Sequence, residues 1–226
     1  MKRLSVLSAL VVLMIFSVAC SKSSSSPTPP LDKTNDGSFK VYTEGKVTTV
    51  QNLAGDTIIG IAPSGQPYGA GKFTFFSLVN KTIVPNSDSA TSNWDIAIRG
   101  TTIITNGGTS GPGNGGGFVW VGAFDNLTAV PADSVFKTDN APTYAITTGS
   151  GKGWYNYDGP TNLVTPLPGR VLVIRTANGK YAKIEILNYY RKGSTPAASE
   201  TDAIKLAEQR FYLFRYTYQA DGAKTF

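Results

Sequence analysis

From residue 39 onward the chain is built of short runs in which apolar and aromatic residues alternate with polar ones, broken every eight to twelve positions or so by Gly, Pro, Asn or Asp. That period of two places alternate side chains on opposite faces of an extended strand. The pattern predicts strands over 39–50, 57–61, 72–79, 94–104, 118–124, 144–148, 154–157, 170–177, 180–190 and 210–219. The clearest hairpin is RVLVIRTA-NG-KYAKIEILNYY, in which Asn178-Gly179 has the composition of a type I′ turn with two positive φ angles. Val171-Leu172-Val173-Ile174 is apolar on both faces, as a strand covered on both sides must be. Tyr212, Phe214, Tyr216 and Tyr218 fall on one face of the last strand and form a core wall. Only 200–208 carries a helical pattern, with Ser199 as the expected cap and Ile204, Leu206 and Ala207 as a weak apolar face. The expected fold is all-β, a two-sheet antiparallel sandwich with at most one or two short helices. Trp94, Ile96, Ile98, Val171, Val173, Ile184 and Ile186 should point inward, with Asp95 and Arg99 on the opposite face of the Trp94 strand.

The first 38 residues do not belong to that domain. Lys2 and Arg3 precede an apolar stretch of about 15 residues, short of the roughly 20 needed to span a bilayer. Ser17-Val18-Ala19-Cys20 resembles the site cut by lipoprotein signal peptidase. Residues 1–19 are therefore expected to be a signal peptide, and Cys20 the lipidated first residue of the mature chain. Residues 20–38, rich in Ser and Pro, form a tether, and 39–226 form a single domain. Acyl chains, at about 0.8 kcal/mol per buried CH₂, would hold the protein at a membrane.

Composition removes whole classes of chemistry. The 226-residue chain has no histidine, one cysteine, and two methionines that both precede Cys20. Histidine-dependent hydrolase triads, thiolate metal sites and disulfides are all unavailable. A net charge of +6, with Lys and Arg scattered singly, lacks the clustered footprint of a nucleic-acid binder. Carboxylate-pair catalysis has only Asp95, Asp125, Asp158 and Glu185 to draw on, each isolated in sequence. The expectation is a binding protein and not an enzyme.

The most unusual segment is SNWDIAIRGTTIITNGGTSGPGNGGG, residues 92–117, where seven of the eleven positions from Gly107 to Gly117 are glycine. Gly111-Pro112-Gly113-Asn114-Gly115-Gly116 satisfies G-x-G-x-x-G, but the following Phe118-Val119-Trp120-Val121 reads as strand, whereas a dinucleotide loop must open a helix. Two readings compete: an anion-binding nest of backbone N–H groups, or a crossover between sheets that needs glycine for steric reasons.

Several motifs in order resemble the HmuY family of haem-binding lipoproteins. They are Phe73-Thr74-Phe75-Phe76-Ser77, Asn93-Trp94-Asp95-Ile96-Ala97-Ile98, Thr105-Asn106-Gly107-Gly108 with the glycine run, Val130-Pro131-Ala132-Asp133, Gly153-Trp154, RVLVIRTANGKYAK and Tyr216-Thr217-Tyr218. The resemblance implies a two-sheet fold with haem in an end cleft, an outer-membrane lipid anchor on the periplasmic or cell-surface face, and a TonB-dependent outer-membrane receptor as partner. It also exposes a departure. Relatives hold iron with histidine or methionine, and this mature chain has neither. The second ligand position falls just after Gly153-Trp154, at Tyr155-Asn156-Tyr157-Asp158, and the interval 134–152 is short for the hairpin that carries the first.

The candidate haem site therefore consists of Tyr144, Lys152, Trp154, Tyr155 and Tyr157, with Tyr155 and Tyr157 as metal ligands sharing a strand face. Ferric iron accepts tyrosinate. The porphyrin is either ligated in that way or held by stacking alone, and the same tyrosines also suit simple packing. Two other readings stay open: a saccharide- or peptide-binding surface lipoprotein, and a ligand-free structural component of a surface complex.

Overall fold

The structure is a computed structural model that describes residues 35–226. The expected signal peptide, Cys20 and most of the expected tether lie outside the described residues. In chain order the strands are β1 (Lys40–Glu44), β2 (Val47–Ala54), β3 (Gly60–Ile61), β4 (Pro67–Tyr68), β5 (Thr74–Ser77), β6 (Thr82–Val84), β7 (Ile96–Arg99), β8 (Thr102–Thr105), β9 (Gly116–Val121), β10 (Tyr155–Asp158), β11 (Leu163–Pro166), β12 (Arg170–Arg175), β13 (Tyr181–Tyr190) and β14 (Gln209–Gln219). The helix α1 (Asp202–Glu208) precedes β14.

Six strands, in the order β1-β2-β14-β13-β12-β9, form the main sheet, and β6-β5-β7-β8 form the second. The ribbons β3-β4 and β10-β11 complete an all-β architecture in which every paired strand is antiparallel. The two sheets face each other across one core. Leu172, Ile174, Ile184, Ile186, Tyr212, Phe214 and Tyr216 of the main sheet meet Phe76, Ile96, Ile98 and Ile103 of the second. The aromatic wall of β14 is thus packed as its spacing predicts.

The main sheet is covered on its other face too. Val171 and Val173 are fully buried, but against Phe124, Leu127 and Val130, facing away from Ile184 and Ile186. The register explains this: Leu172 stands opposite Ile184, and Val171 opposite Glu185. On that face Arg215 Nε donates to Glu185 Oε2 at 2.7 Å and lies 3.6 Å from Asp125. The Lys183 ammonium donates to the carbonyls of Phe124 and Leu127, both at 2.9 Å. Burial lowers the pKa of that lysine.

Five local expectations are corrected. Residues 39–50 and 94–104 are hairpins and not single strands, each closed by a two-residue turn, Gly45-Lys46 and Gly100-Thr101, whose glycine has φ of 57° and 56°. Glycine at the first central position is the type II′ pattern. The β12–β13 turn is not type I′. Gly179 has φ 74° but Asn178 is not left-handed, and Gly179 N donates to Thr176 O at 2.9 Å, giving a three-residue loop. Residues 144–148 form no strand, because the segment is held by Ala145 N donating to the buried Asp139 carboxylate at 2.7 Å. The helix is capped by Thr201, not Ser199, and turns Ile204 outward and Lys205 inward. Finally, Trp94 does not share a face with Ile96 and Ile98: a bend at the buried Asp95 separates Trp94, which packs with Phe75 and Ala97, from them.

Candidate functional site

The glycine run carries the chain from β8 in the second sheet to β9 in the main sheet, and it wraps around one side chain. Asn106 is fully buried. Its Nδ2 donates to Thr91 O at 2.9 Å and Trp94 O at 2.8 Å, while its Oδ1 accepts from Gly113 N at 2.9 Å. Asn106 O accepts from Gly115 N at 2.7 Å, and Asn114 N donates to Ala177 O at 2.9 Å. A Cβ on Gly107 would collide with the carbonyl of Gly115, and one on Gly108 with the carbonyl of Asp139. The amides of an anion-binding nest would have to be free to receive an anion. Here those of Gly113, Asn114, Gly115 and Gly117 are bonded within the protein. The loop is a steric crossover, and the nest reading is set aside.

The buried carboxylates around it are structural as well. Asp95 accepts from Leu78 N at 2.8 Å and Ala177 N at 3.2 Å, and desolvation raises its pKa against the effect of those amides. Asp139 accepts from Thr105 N and Ala145 N. Of the other acids weighed for catalysis, Asp125 and Glu185 meet at Arg215, and Asp158 accepts a hydrogen bond from Thr161.

The five predicted haem residues do not converge as a set. Trp154, 1% exposed, belongs to the core: its indole N–H donates to Thr101 O at 3.0 Å, and its ring lies 5.0 Å from Tyr155 and 5.3 Å from Tyr212. Tyr155 is also buried, and its hydroxyl oxygen accepts from Thr101 Oγ1 at 3.3 Å. Burial pushes up the phenol pKa values of the neighbouring Tyr189 and Tyr212. Tyr144 packs on the Phe75–Trp94 cluster, away from Trp154. Lys152 is exposed on the turn before β10.

Tyr157 is different. β10 runs out of the core, so two residues after Tyr155 the same face meets solvent and Tyr157 is 47% exposed. It lines an open groove of about 310 Å³ between the β3–β4 ribbon, the β10–β11 ribbon and α1. Tyr157 Oη donates to Asn162 Oδ1 at 2.7 Å, and Asn162 Nδ2 donates to Asp202 Oδ1 at 3.0 Å. The Lys205 ammonium donates to Thr161 O and Ala198 O, both at 2.8 Å, stapling α1 to the ribbon. Pro67 and Leu206 supply apolar wall. Sequence reasoning missed Asn162, Asp202, Lys205 and Pro67. The one local signal is that Asp202 and Lys205 fall within the predicted helix 200–208.

Residues 70–202 match the family model described as HmuY protein. Among solved structures the chain is similar to a candidate lipoprotein of Bacteroides fragilis, at 18% identity and TM-score 0.46, covering 83% of this chain and 97% of that one. It is similar to a candidate HmuY-like heme-binding protein of Bacteroides vulgatus, at 16% identity and TM-score 0.44, covering 76% and 92%. It is also similar to the apo HmuY analog of Tannerella forsythia, at 16% identity and TM-score 0.39, covering 80% and 97%. No curated protein matches the chain in sequence.

Proposed function

The chain belongs to the HmuY family, and from that premise we propose that it is a membrane-anchored binding protein, not an enzyme, that takes haem or a related porphyrin in the groove beside Tyr157. The observation that carries the proposal is the placement of Tyr157, the one predicted aromatic that leaves the core and lines an open groove. The Bacteroides vulgatus protein is described as heme-binding, which supports the same ligand class.

The residues fit a stacked porphyrin better than a ligated one. When bound, haem supplies a flat aromatic face and an iron centre. Tyr157 offers a half-exposed ring to such a face, with Pro67 and Leu206 beside it. Its hydroxyl, however, is a hydrogen-bond donor to Asn162 Oδ1, and that amide is oriented by Asp202. A phenolate there would face an acceptor oxygen, and turning the amide over would set Oδ1 against the Asp202 carboxylate. The Tyr157 hydroxyl is therefore engaged as a donor rather than offered to iron, and Tyr155 is held in the core.

The anchor fits the groove's position. Asn52 binds Asn35 and Ser38 O at 2.8 and 2.9 Å and receives Lys192 N at 2.6 Å, while Arg191 lies 3.7 Å from Glu208 at the end of α1. A tether leading to residue 35 would enter beside the helix that borders the groove. In this proposal Cys20 carries the lipid, residues 20–38 are the tether, and 39–226 are the binding domain. An outer-membrane receptor of the TonB-dependent class takes over the ligand.

The test is haemin titration followed by visible absorption. Wild type should show a saturable shift from the free-haemin spectrum. Tyr157→Phe should bind within about threefold of wild type, and Tyr157→Ala about tenfold more weakly, ~1.4 kcal/mol. A free-haemin spectrum that stays unchanged would remove the porphyrin reading. Loss of binding in Tyr157→Phe would show that the hydroxyl ligates iron.

A further inference from the structure

A second groove, of about 270 Å³, lies at the other end of β14, where the β1–β2 turn and the β5–β6 turn meet the last residues of that strand. Gln209 borders the first groove and Gln219 the second. At about 3.3 Å per residue the two sites are roughly 30 Å apart.

Its rim carries two cations from distant parts of the chain. Lys46 is the second residue of the Gly45-Lys46 turn, and Lys81 sits in the β5–β6 turn with φ 57°. Lys81 Nζ donates to Thr43 Oγ1 at 2.7 Å, and that hydroxyl is 3.0 Å from Thr48 Oγ1, so the ammonium is steered across to the β1 side of the groove. No acidic side chain lines the groove; Glu44, next to Gly45, is not among its lining residues. Among the described residues neither lysine forms an ion pair. The floor is apolar and aromatic: Val79 is 45% exposed, and Tyr218 is half-buried.

Each part selects. Two cations without an acidic side chain favour an anion, but an inorganic anion has no use for an aromatic floor. A neutral sugar would stack on Tyr218 and bond to threonine hydroxyls, but has no use for two ammonium groups. We propose that this groove binds an anionic saccharide, a sugar ring bearing a carboxylate, with its apolar face on Tyr218 and Val79 and its carboxylate between Lys46 and Lys81.

The test titrates the protein with tetragalacturonate, uncharged cellotetraose and inorganic phosphate, reading heat by calorimetry and amide shifts by NMR. Tetragalacturonate should bind saturably and shift Gly45, Lys46 and Thr217, with cellotetraose at least tenfold weaker. The double variant Lys46→Ala/Lys81→Ala removes only exposed side chains and should keep the wild-type thermal midpoint while losing at least tenfold in affinity. Lys46→Arg/Lys81→Arg should retain binding. The haemin titration of the double alanine variant should match wild type, separating this site from the Tyr157 groove. The proposal is overturned if no saturable binding is seen, if cellotetraose binds equally well, if phosphate displaces the oligosaccharide at equal concentration, or if the double alanine variant binds as wild type does.

Discussion

Replacing Asn106 by alanine tests whether the glycine run is a packed crossover. The substitution removes three hydrogen bonds at a fully buried position. The carbonyl of Trp94 lies in a buried bond, and leaving such a group unpaired costs about 1–3 kcal/mol. Thr91 O and Gly113 N are closer to solvent, at about 1 kcal/mol each, which brings the total to about 3–5 kcal/mol. That is a large share of the roughly 5–15 kcal/mol by which domains are stable. With a urea m-value of about 2–3 kcal/mol/M, the midpoint should fall by about 1–2.5 M. Equilibrium urea unfolding followed by tryptophan fluorescence reads this, since the buried indoles of Trp94 and Trp154 meet water on unfolding. A loss of less than about 0.5 kcal/mol would mean that the loop does not depend on Asn106, and the anion-nest reading would return.

Two further predictions concern charge and anchoring. Desolvation places the folded-state pKa of Asp95 above its ordinary value of 3.8, so between those two values the native state binds more protons than the unfolded state and stability falls as pH rises. Urea midpoints from about pH 4 to about pH 7 should show wild type losing ground to Asp95→Asn as pH increases, and a difference that is flat or of opposite slope would contradict this. Cys20→Ala should move the protein from the membrane pellet to the soluble fraction; continued sedimentation with membranes would favour an anchor other than lipid. Among the described residues no helix is long and apolar enough to cross a membrane.

Strands β13 and β14 were legible because their apolar residues recur at every second position. Val171 to Ile174 even announced burial on both faces, although the pattern alone does not say that Val171 faces Phe124 rather than Ile184. The hairpins at Gly45 and Gly100 were hidden because Glu44-Gly45-Lys46 and Arg99-Gly100-Thr101 sit inside runs that remain strand-like on both sides. The site was less legible than the fold. Tyr155 and Tyr157 look equivalent in sequence, and only the course of β10 out of the core separates a buried ring from an exposed one. Asn162, Asp202 and Lys205 are brought to Tyr157 by the docking of α1 against the β10–β11 ribbon, a tertiary contact with no local signature.

The most direct test of the central claim is to map the bound porphyrin on the protein. Gallium(III) protoporphyrin IX, a diamagnetic stand-in for haemin, allows amide shifts to be followed by NMR without iron's paramagnetism. The account predicts saturable shifts confined to Gln66, Tyr157, Asn162, Leu206 and their neighbours, with Asn106 and the glycine crossover unmoved. Shifts centred on the glycine crossover or on the Lys46–Tyr218 groove, or none at all, would contradict it.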